Sequence, residues 1–199
     1  MSKKQALLEA ATFLFATKGF ADTSMAELAK MTGTAGGTVF YHFKTKEELY
    51  LAVLENVKIT MIADFDTYFR EKSFPSGMDM MEGVIGFYLY QAEIHEHRCR
   101  LLHRHYPYEL AQVNDVCRRL LEEIYNCLVD VFERAIAIGK EDGSIMDAAN
   151  RKTALVIFSM VDGVVRLNTY NLYHAATLFN ELIAAVHRML ERPVRSDSP

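Results

Sequence analysis

The chain has 199 residues, half of them hydrophobic, with only four prolines and a formal net charge of −4. That length suits one good-sized core or two small domains, and that composition excludes a disordered chain. No apolar run approaches the roughly 18 residues of a membrane span, the longest being TALVIFSMV at Thr153 to Val161.

Helical periodicity runs through nearly the whole chain, with no alternating strand pattern and no internal repeat. The first helix spans about Lys3 to Lys18, sets Leu7, Ala11, Leu14 and Phe15 on one stripe and stops at Gly19, a natural C′ residue. Ser24-Met25-Ala26-Glu27 then fits a capping box, in which the serine oxygen accepts from a free N–H and the glutamate reaches back. A short helix follows to about Lys30, with Met25, Leu28 and Ala29 as its buried face. Met31 to Thr34 turn around Gly33, and a third short helix runs from about Ala35 to Phe43. At about 100° per residue, Gly36, Val39, Phe40 and Phe43 share an arc that packs, while Gly37, Thr38, Tyr41 and His42 share the other. Glycine costs about 1 kcal/mol relative to alanine in a helix interior, so the Gly36-Gly37 pair needs a reason. Thr45-Lys46-Glu47-Glu48 supplies a second capping box and opens a fourth helix to about Tyr68 or Phe69.

KSFPSG at Lys72 to Gly77 breaks the chain, and a helix from about Met80 carries Val84, Phe87, Tyr88 and Gln91 at helical spacing. HEHRCRLLHRHYP is basic and histidine-rich and reads as a solvated loop; Pro107 opens a long helix that ends near Gly139. GKEDGS is a loop, two helices cover roughly Asp147 to Tyr170 and Ala175 to Glu191, and RPVRSDSP reads as a frayed tail. Cys99, Cys117 and Cys127 are odd in number and lack metal-finger spacing, so reduced thiols are expected. Glu9 and Lys18 interrupt the apolar N-terminal segment, so no secretory leader is expected and the chain is assigned to the cytosol.

Helix, capped short helix, glycine turn, short aromatic helix and capped long helix make a helix-turn-helix within a three-helix head. The residues LLEAATFLFATKGFADTSMAELAK and GTVFYHFKTKEELYLAVLE, within about residues 5 to 56, resemble the tetracycline-repressor (TetR) family of transcriptional regulators. The resemblance implies an all-α fold of about nine helices. Residues 1–46 would form the DNA-binding head, and 47–199 a larger helical bundle for ligand binding and dimerisation. It implies a homodimeric repressor of a palindromic double-stranded DNA operator, released by a small effector, with no enzymatic activity and no cofactor.

The residues agree with this reading. Residues 1 to 50 hold six lysines against five acids, a balance of +1, which leaves −5 for the remainder; a slightly basic head on an acidic body suits a small DNA-binding module. Thr38, Tyr41 and His42 offer donors, acceptors and a flat ring to bases or phosphates. Lys46, in the first turn of the fourth helix, offers a phosphate contact, and Thr23 and Ser24 approach phosphate through hydroxyl and amide groups. Each has a plainer reading: Ser24 and Thr45 as caps, Tyr41 as cover for the interior, Lys46 as a solvated side chain. Gly36 and Gly37 would let the backbone come close to DNA or to the preceding helix. Three positions depart from the family pattern: Ala35 stands where a serine cap is usual, Gly36 where a polar residue is common, and Phe40 where tyrosine is frequent. Base reading then falls to Thr38, Tyr41, His42 and DNA shape.

In the body, Met61, Phe65, Phe87, Tyr88, His103, Tyr125, Phe132 and Phe158 are candidate pocket residues for a hydrophobic effector, or ordinary core. The dimer surface is expected on the last two helices, at Val161, Gly163, Val164, Leu178 and Leu182, with Gly163 permitting close approach and Asp162 paired to Arg166. Metal sensing by His95, His97, Cys99, His103 and His105 is the alternative, although alternate residues on a helix point apart, and a thiol switch at Cys99 is another. A helical di-iron enzyme would want Glu-x-x-His pairs, and none of the seven histidines has a glutamate three residues before it. A helical dimerisation scaffold without DNA binding is the remaining class.

Overall fold

A computed structural model describes residues 2–147 and 149–191, so the RPVRSDSP segment lies outside the described residues. Ten helices make up the described chain: α1 (Lys3–Thr17), α2 (Met25–Met31), α3 (Gly36–His42), α4 (Lys46–Glu71), α5 (Gly77–Ile94), α6 (Glu96–Leu102), α7 (Tyr106–Val113), α8 (Asp115–Asp142), α9 (Arg151–Thr169) and α10 (Ala175–Leu190). They fall into two compact units, Met1–Glu71 with His95–Tyr125, and Lys72–Ile94 with Asn126–Pro199. Among the described residues no helix is long and apolar enough to cross a membrane.

In the first unit, Ser2 caps α1 by accepting from the Gln5 amide at 3.1 Å, and Leu7, Ala11, Leu14 and Phe15 are buried as their spacing predicts. Fully burying one such side chain is worth about 1.5–3 kcal/mol. The helix ends at Gly19, whose φ of +90° only glycine adopts freely. α1 packs against α2, α4 and α6. Leu28 and Ala29 of α2 are buried, whereas Met25 is only half-buried.

Two of these ten helices are absent from the chain-order reading of the sequence, each for a local reason. The histidine-rich stretch is the helix α6, because Cys99, Leu101 and Leu102 bury one face of it. The helix begun at Pro107 stops at Asn114, whose extended backbone (φ −132°, ψ 107°) ends α7. Its side-chain oxygen accepts from the Val116 and Cys117 amides at 3.0 Å each and so starts α8.

In the second unit, α9 packs on α5 and α10 around Met81, Val84, Ile85, Phe132, Ile157, Val161 and Val186. The sequence placed the end of α8 near Gly139, but the helix continues to Asp142 and stops before Gly143, at φ +81°. Gly139 is glycine for a different reason. A Cβ on Gly77 would overlap the Gly139 backbone and sit 2.7 Å from the Ala135 carbonyl oxygen, so two helices cross backbone to backbone here. The crossing also explains why α5 starts at Gly77 rather than Met80: the Gly77 amide donates to Asp142 Oδ2 at 2.6 Å and the Met78 amide to Ser144 Oγ at 3.1 Å. α9 likewise starts after Asn150, in a capping box with Thr153, rather than at Asp147.

Candidate nucleic-acid interface

α2 and α3 pack on each other across the turn Thr32 to Ala35. That turn is set by Gly33 at φ +62°, by the Thr34 amide donating to the Ala29 carbonyl at 3.0 Å, and by the Thr32 and Thr34 hydroxyls in contact at 2.9 Å. α3 begins without a side-chain cap, since Ala35 has no oxygen to offer. Two residues anchor it, Val39 at 0 % exposure and Phe43 at 2 %. Phe40 corrects the helical-wheel reading: it does not share the packed arc but is 50 % exposed, beside Tyr41 at 76 %. Gly36 is exposed too.

Thr38 and His42 are half-buried, and the His42 ring lies 5.2 Å from that of Tyr41 and 6.3 Å from that of Phe43. α3 therefore presents Gly36, Gly37, Phe40 and Tyr41 outward, with Thr38 and His42 at the margin of that face. A Cβ at Gly36 or Gly37 would meet no atom within 4 Å, which removes close approach to the preceding helix as their reason. Sequence reasoning left two residues off this face. Phe40 is one, and Lys44, exposed with its ammonium donating to the Phe40 carbonyl at 3.2 Å, is the other.

The flanking candidates are differently disposed. Ser24 is exposed and caps α2, accepting from the Glu27 amide at 3.1 Å; Glu27 does not complete the expected box but pairs with Lys18. Thr45 caps α4 through the Glu48 amide at 3.0 Å, and Glu48 reaches back to the Lys44 amide at 2.7 Å. Thr23 is buried, its hydroxyl donating to the Gly19 carbonyl at 2.7 Å. Lys46 is no solvated side chain: its ammonium donates to the carbonyls of Phe20, Ala21 and Thr23 at 2.7, 3.1 and 2.9 Å.

The other candidates divide between the units. In the first, Phe65 and His103 are buried and Met61 and Tyr125 half-buried, with the Tyr125 and Tyr108 hydroxyls bonded to each other. In the second, Tyr88, Phe132 and Phe158 form an aromatic chain with centroids 6.0 and 6.1 Å apart, and Phe87 is half-buried. The Tyr88 hydroxyl donates to Asp162 at 2.8 Å. Of the residues expected at a dimer surface, Val161 is buried within its own chain, whereas Gly163, Val164, Leu178 and the largely buried Leu182 line an open groove of about 650 Å³ between α9 and α10. Leu155 and Val156, half exposed, extend this apolar face of α9.

The five histidine and cysteine residues are not brought to one point. His95 faces Asp64 at 3.9 Å, with burial and then Arg98 lowering its pKa. His97 packs edge-on to Phe13, Cys99 and His103 are buried, and His105 meets Glu109 at 3.3 Å. Among the described residues no three histidine, cysteine or carboxylate side chains could hold a metal ion. No disulfide joins the cysteines among the described residues, and burial pushes the Cys117 thiol up to about 11, away from thiolate chemistry.

The model of bacterial regulatory proteins of the tetR family matches residues 7–53, which run from α1 into α4. Over 168 residues the chain is 25 % identical to the HTH-type transcriptional regulator AcrR of Shigella flexneri, covering 81 % of this chain and 76 % of that one. It is 22 % identical over 164 residues to the fatty acid metabolism regulator protein of Bacillus subtilis, covering 82 % and 81 %. The fold is shared with the transcriptional regulator FadR from Bacillus subtilis in complex with stearoyl-CoA, at a TM-score of 0.74 and 20 % identity, over 92 % of this chain and 96 % of that one.

Proposed function

The chain belongs to the tetR family of bacterial regulatory proteins, and from that premise we propose that it represses transcription as a homodimer on a palindromic operator. The head, residues 1–46, binds DNA; residues 47–199 bind the effector and dimerise. The observation that carries this reading is the outward face of α3. A seven-residue helix anchored by Val39 and Phe43 sets two exposed aromatic side chains, Phe40 and Tyr41, beside the polar Thr38 and His42, a mixed face of donors, acceptors and rings that suits base edges and phosphates.

In the major groove, Thr38 and His42 supply hydrogen bonds to base edges or phosphates, Tyr41 supplies a ring and a hydroxyl, and Phe40 supplies an apolar surface for a thymine methyl. Gly36 and Gly37 let the α3 backbone approach the duplex. Ser24 meets phosphate from the start of α2. The dimer is built on the α9 and α10 face with Gly163, Val164 and Leu178, and it must set its two α3 helices about 34–36 Å apart to meet successive major grooves.

For the effector, the aromatic and methionine side chains named above favour a hydrophobic molecule. The Bacillus subtilis regulator whose fold matches holds stearoyl-CoA, which makes long-chain acyl thioesters the first class to try. Selection from random duplex pools tests the DNA reading: an enriched palindrome is expected, and none would sink it. A thermal-shift screen with acyl-CoAs and other hydrophobic metabolites tests the effector, because a bound ligand raises apparent stability by mass action. A hit should also release the selected duplex.

A further inference from the structure

The end of α1 and the corner that leads to α2, residues 16–24, are held by two cations that come from elsewhere in the chain. From the first turn of α4, the Lys46 ammonium donates to the Phe20, Ala21 and Thr23 carbonyl oxygens at 2.7, 3.1 and 2.9 Å and lies 4.5 Å from the centroid of the Phe20 ring. An ammonium has three N–H donors, so none is left over for a phosphate. From just beyond α6, the Arg104 guanidinium donates through Nε to the Ala16 carbonyl at 2.8 Å and through Nη2 to the Thr17 carbonyl at 2.6 Å. These carbonyls lie at the C-terminus of α1, where helical acceptors lack partners and the helix dipole is negative. The planar fork of arginine suits two successive acceptors.

Two residues further on, the Tyr106 ring stacks on Phe20, with centroids 3.9 Å apart and planes 9° apart. Within the corner, the Thr23 hydroxyl closes onto the Gly19 carbonyl at 2.7 Å. The side chains of Lys46, Arg104 and Thr23 are thus all committed to carbonyl oxygens of one short segment. That segment leads directly into Ser24 and α2, the helix on which α3 packs.

We infer that Lys46 and Arg104 are positioning residues for DNA recognition: they fix the α1–α2 corner, and through it the placing of Ser24 and α3, without touching DNA themselves. The inference rests on the DNA-binding reading above and adds a determinant of operator affinity outside the helix-turn-helix. For Lys46 to reach a phosphate, three charge-assisted bonds would be exchanged for one, and the Phe20 and Thr23 carbonyls would lose a donor.

The experiment uses the full-length protein and a duplex selected by the wild type. Affinity is followed by fluorescence anisotropy against potassium chloride concentration for wild type, Lys46→Met, Lys46→Arg and Arg104→Ala, after circular dichroism and stoichiometric titration have fixed the folded, active fraction. Lys46→Met and Arg104→Ala are each expected to bind about tenfold more weakly, the scale of one lost charge-assisted bond, with the wild-type slope of log affinity against log salt. Lys46→Arg, which keeps the cation and its donors, recovers most of the loss. Removing a phosphate contact would instead reduce the slope by about 0.9, and that result for Lys46→Met overturns its assignment. Unchanged affinity in Arg104→Ala overturns that of Arg104.

A wild type that selects no duplex overturns the DNA-binding reading itself, whereas variants that match wild type on a selected duplex overturn only the positioning role. Hydrogen exchange of the DNA-free proteins gives a second readout. Amides of residues 19–24 should exchange faster in both Lys46→Met and Arg104→Ala, while α9 amides stay unchanged. Equal exchange at the corner in variants and wild type would equally overturn the inference.

Discussion

Two pairs of glycines in this chain occupy opposite environments. At Gly77 and Gly139 in the second unit the backbones of α5 and α8 touch, and a methyl group on Gly77 would overlap the Gly139 main chain. At Gly36 and Gly37, opening α3, the same methyl group would meet nothing within 4 Å. The first pair is explained entirely by the protein that surrounds it. The second is not explained by packing within the chain, although glycine weakens a helix, which is why the proposed function looks to what the helix meets. Internal packing thus accounts for one pair, and for the other we propose a partner.

The contrast breaks most sharply at Gly77. Gly77→Ala forces α5 away from α8 and disturbs the Gly77 amide bond to Asp142. Over-packing of this kind costs about 1–3 kcal/mol, more where the obstacle is backbone rather than a flexible side chain. Urea unfolding should register a loss at the top of that range or beyond it. Gly139→Ala should cost less, because its new methyl meets side-chain atoms of Ile145, the closest at 2.5 Å, rather than another helix's backbone. Equal stability of wild type and Gly77→Ala would mean that the crossing is not tight in solution.

Asn150→Ala comes next. Its side chain accepts from the Lys152 amide at 2.9 Å while its own amide donates to Thr153 Oγ1 at 3.2 Å, and loss of such a cap costs about 1 kcal/mol. Thermal unfolding reads the effect, and a stability equal to wild type would show that α9 does not depend on its cap.

How far such features could be read from the sequence follows from their range. Caps are local: Ser24, Thr45 and Pro107 each sit at a helix start, within four residues of the groups they serve, and a linear reading finds them. The outward placing of Tyr41 was legible for the same reason, because helical periodicity assigns it without knowledge of anything distant. Gly139 misled, since a glycine after a helical run looks the same whether it ends a helix or lets another backbone in. Asn114 was missed because a polar residue inside a helical pattern does not declare that it will stop one helix and start the next.

Lys46 and Arg104 lay furthest from reach. Their acceptors are backbone carbonyls more than twenty residues away for Lys46 and more than eighty for Arg104, and carbonyls carry no residue signature. Phe40 escaped for a related reason. The wheel put it with Val39 and Phe43, but α3 is so short that its partners cover two residues and no more.

A weaker, pH-dependent effect separates the second unit from the head. His187 on α10 is bonded through Nδ1 to Glu191 and through Nε2 to Glu82 of α5, both at 2.6 Å. These bonds, Glu191 first, raise its pKa above the ordinary 6.5. A raised folded-state value means that the proton is held more tightly in the folded protein. The stabilisation is therefore complete below about pH 6.5 and disappears as pH rises through the raised value. Because both carboxylates are well exposed to solvent, the whole effect should stay below about 1 kcal/mol. Urea midpoints measured from pH 6 to 9 should decline by that small amount in wild type, and His187→Gln should remove the decline. A decline that survives the substitution would assign it to another group.

The smallest change in stability, and the one that bears most on function, is expected at Gly37→Ala. Open space around the new methyl means no clash, and alanine is the better helix former, so stability should rise by at most about 1 kcal/mol. Position matters here, since Gly37 lies in the first turn of α3, where the gain is smaller than in mid-helix. If the glycine is kept for close approach to a duplex, the same substitution should abolish binding to the selected operator while the protein becomes slightly more stable. Opposite signs for folding and binding from one methyl group would place the constraint outside the folded chain. A stabilised Gly37→Ala protein that still bound DNA as wild type would leave the pair without a binding role, and base reading would then rest on Thr38, Phe40, Tyr41 and His42 alone.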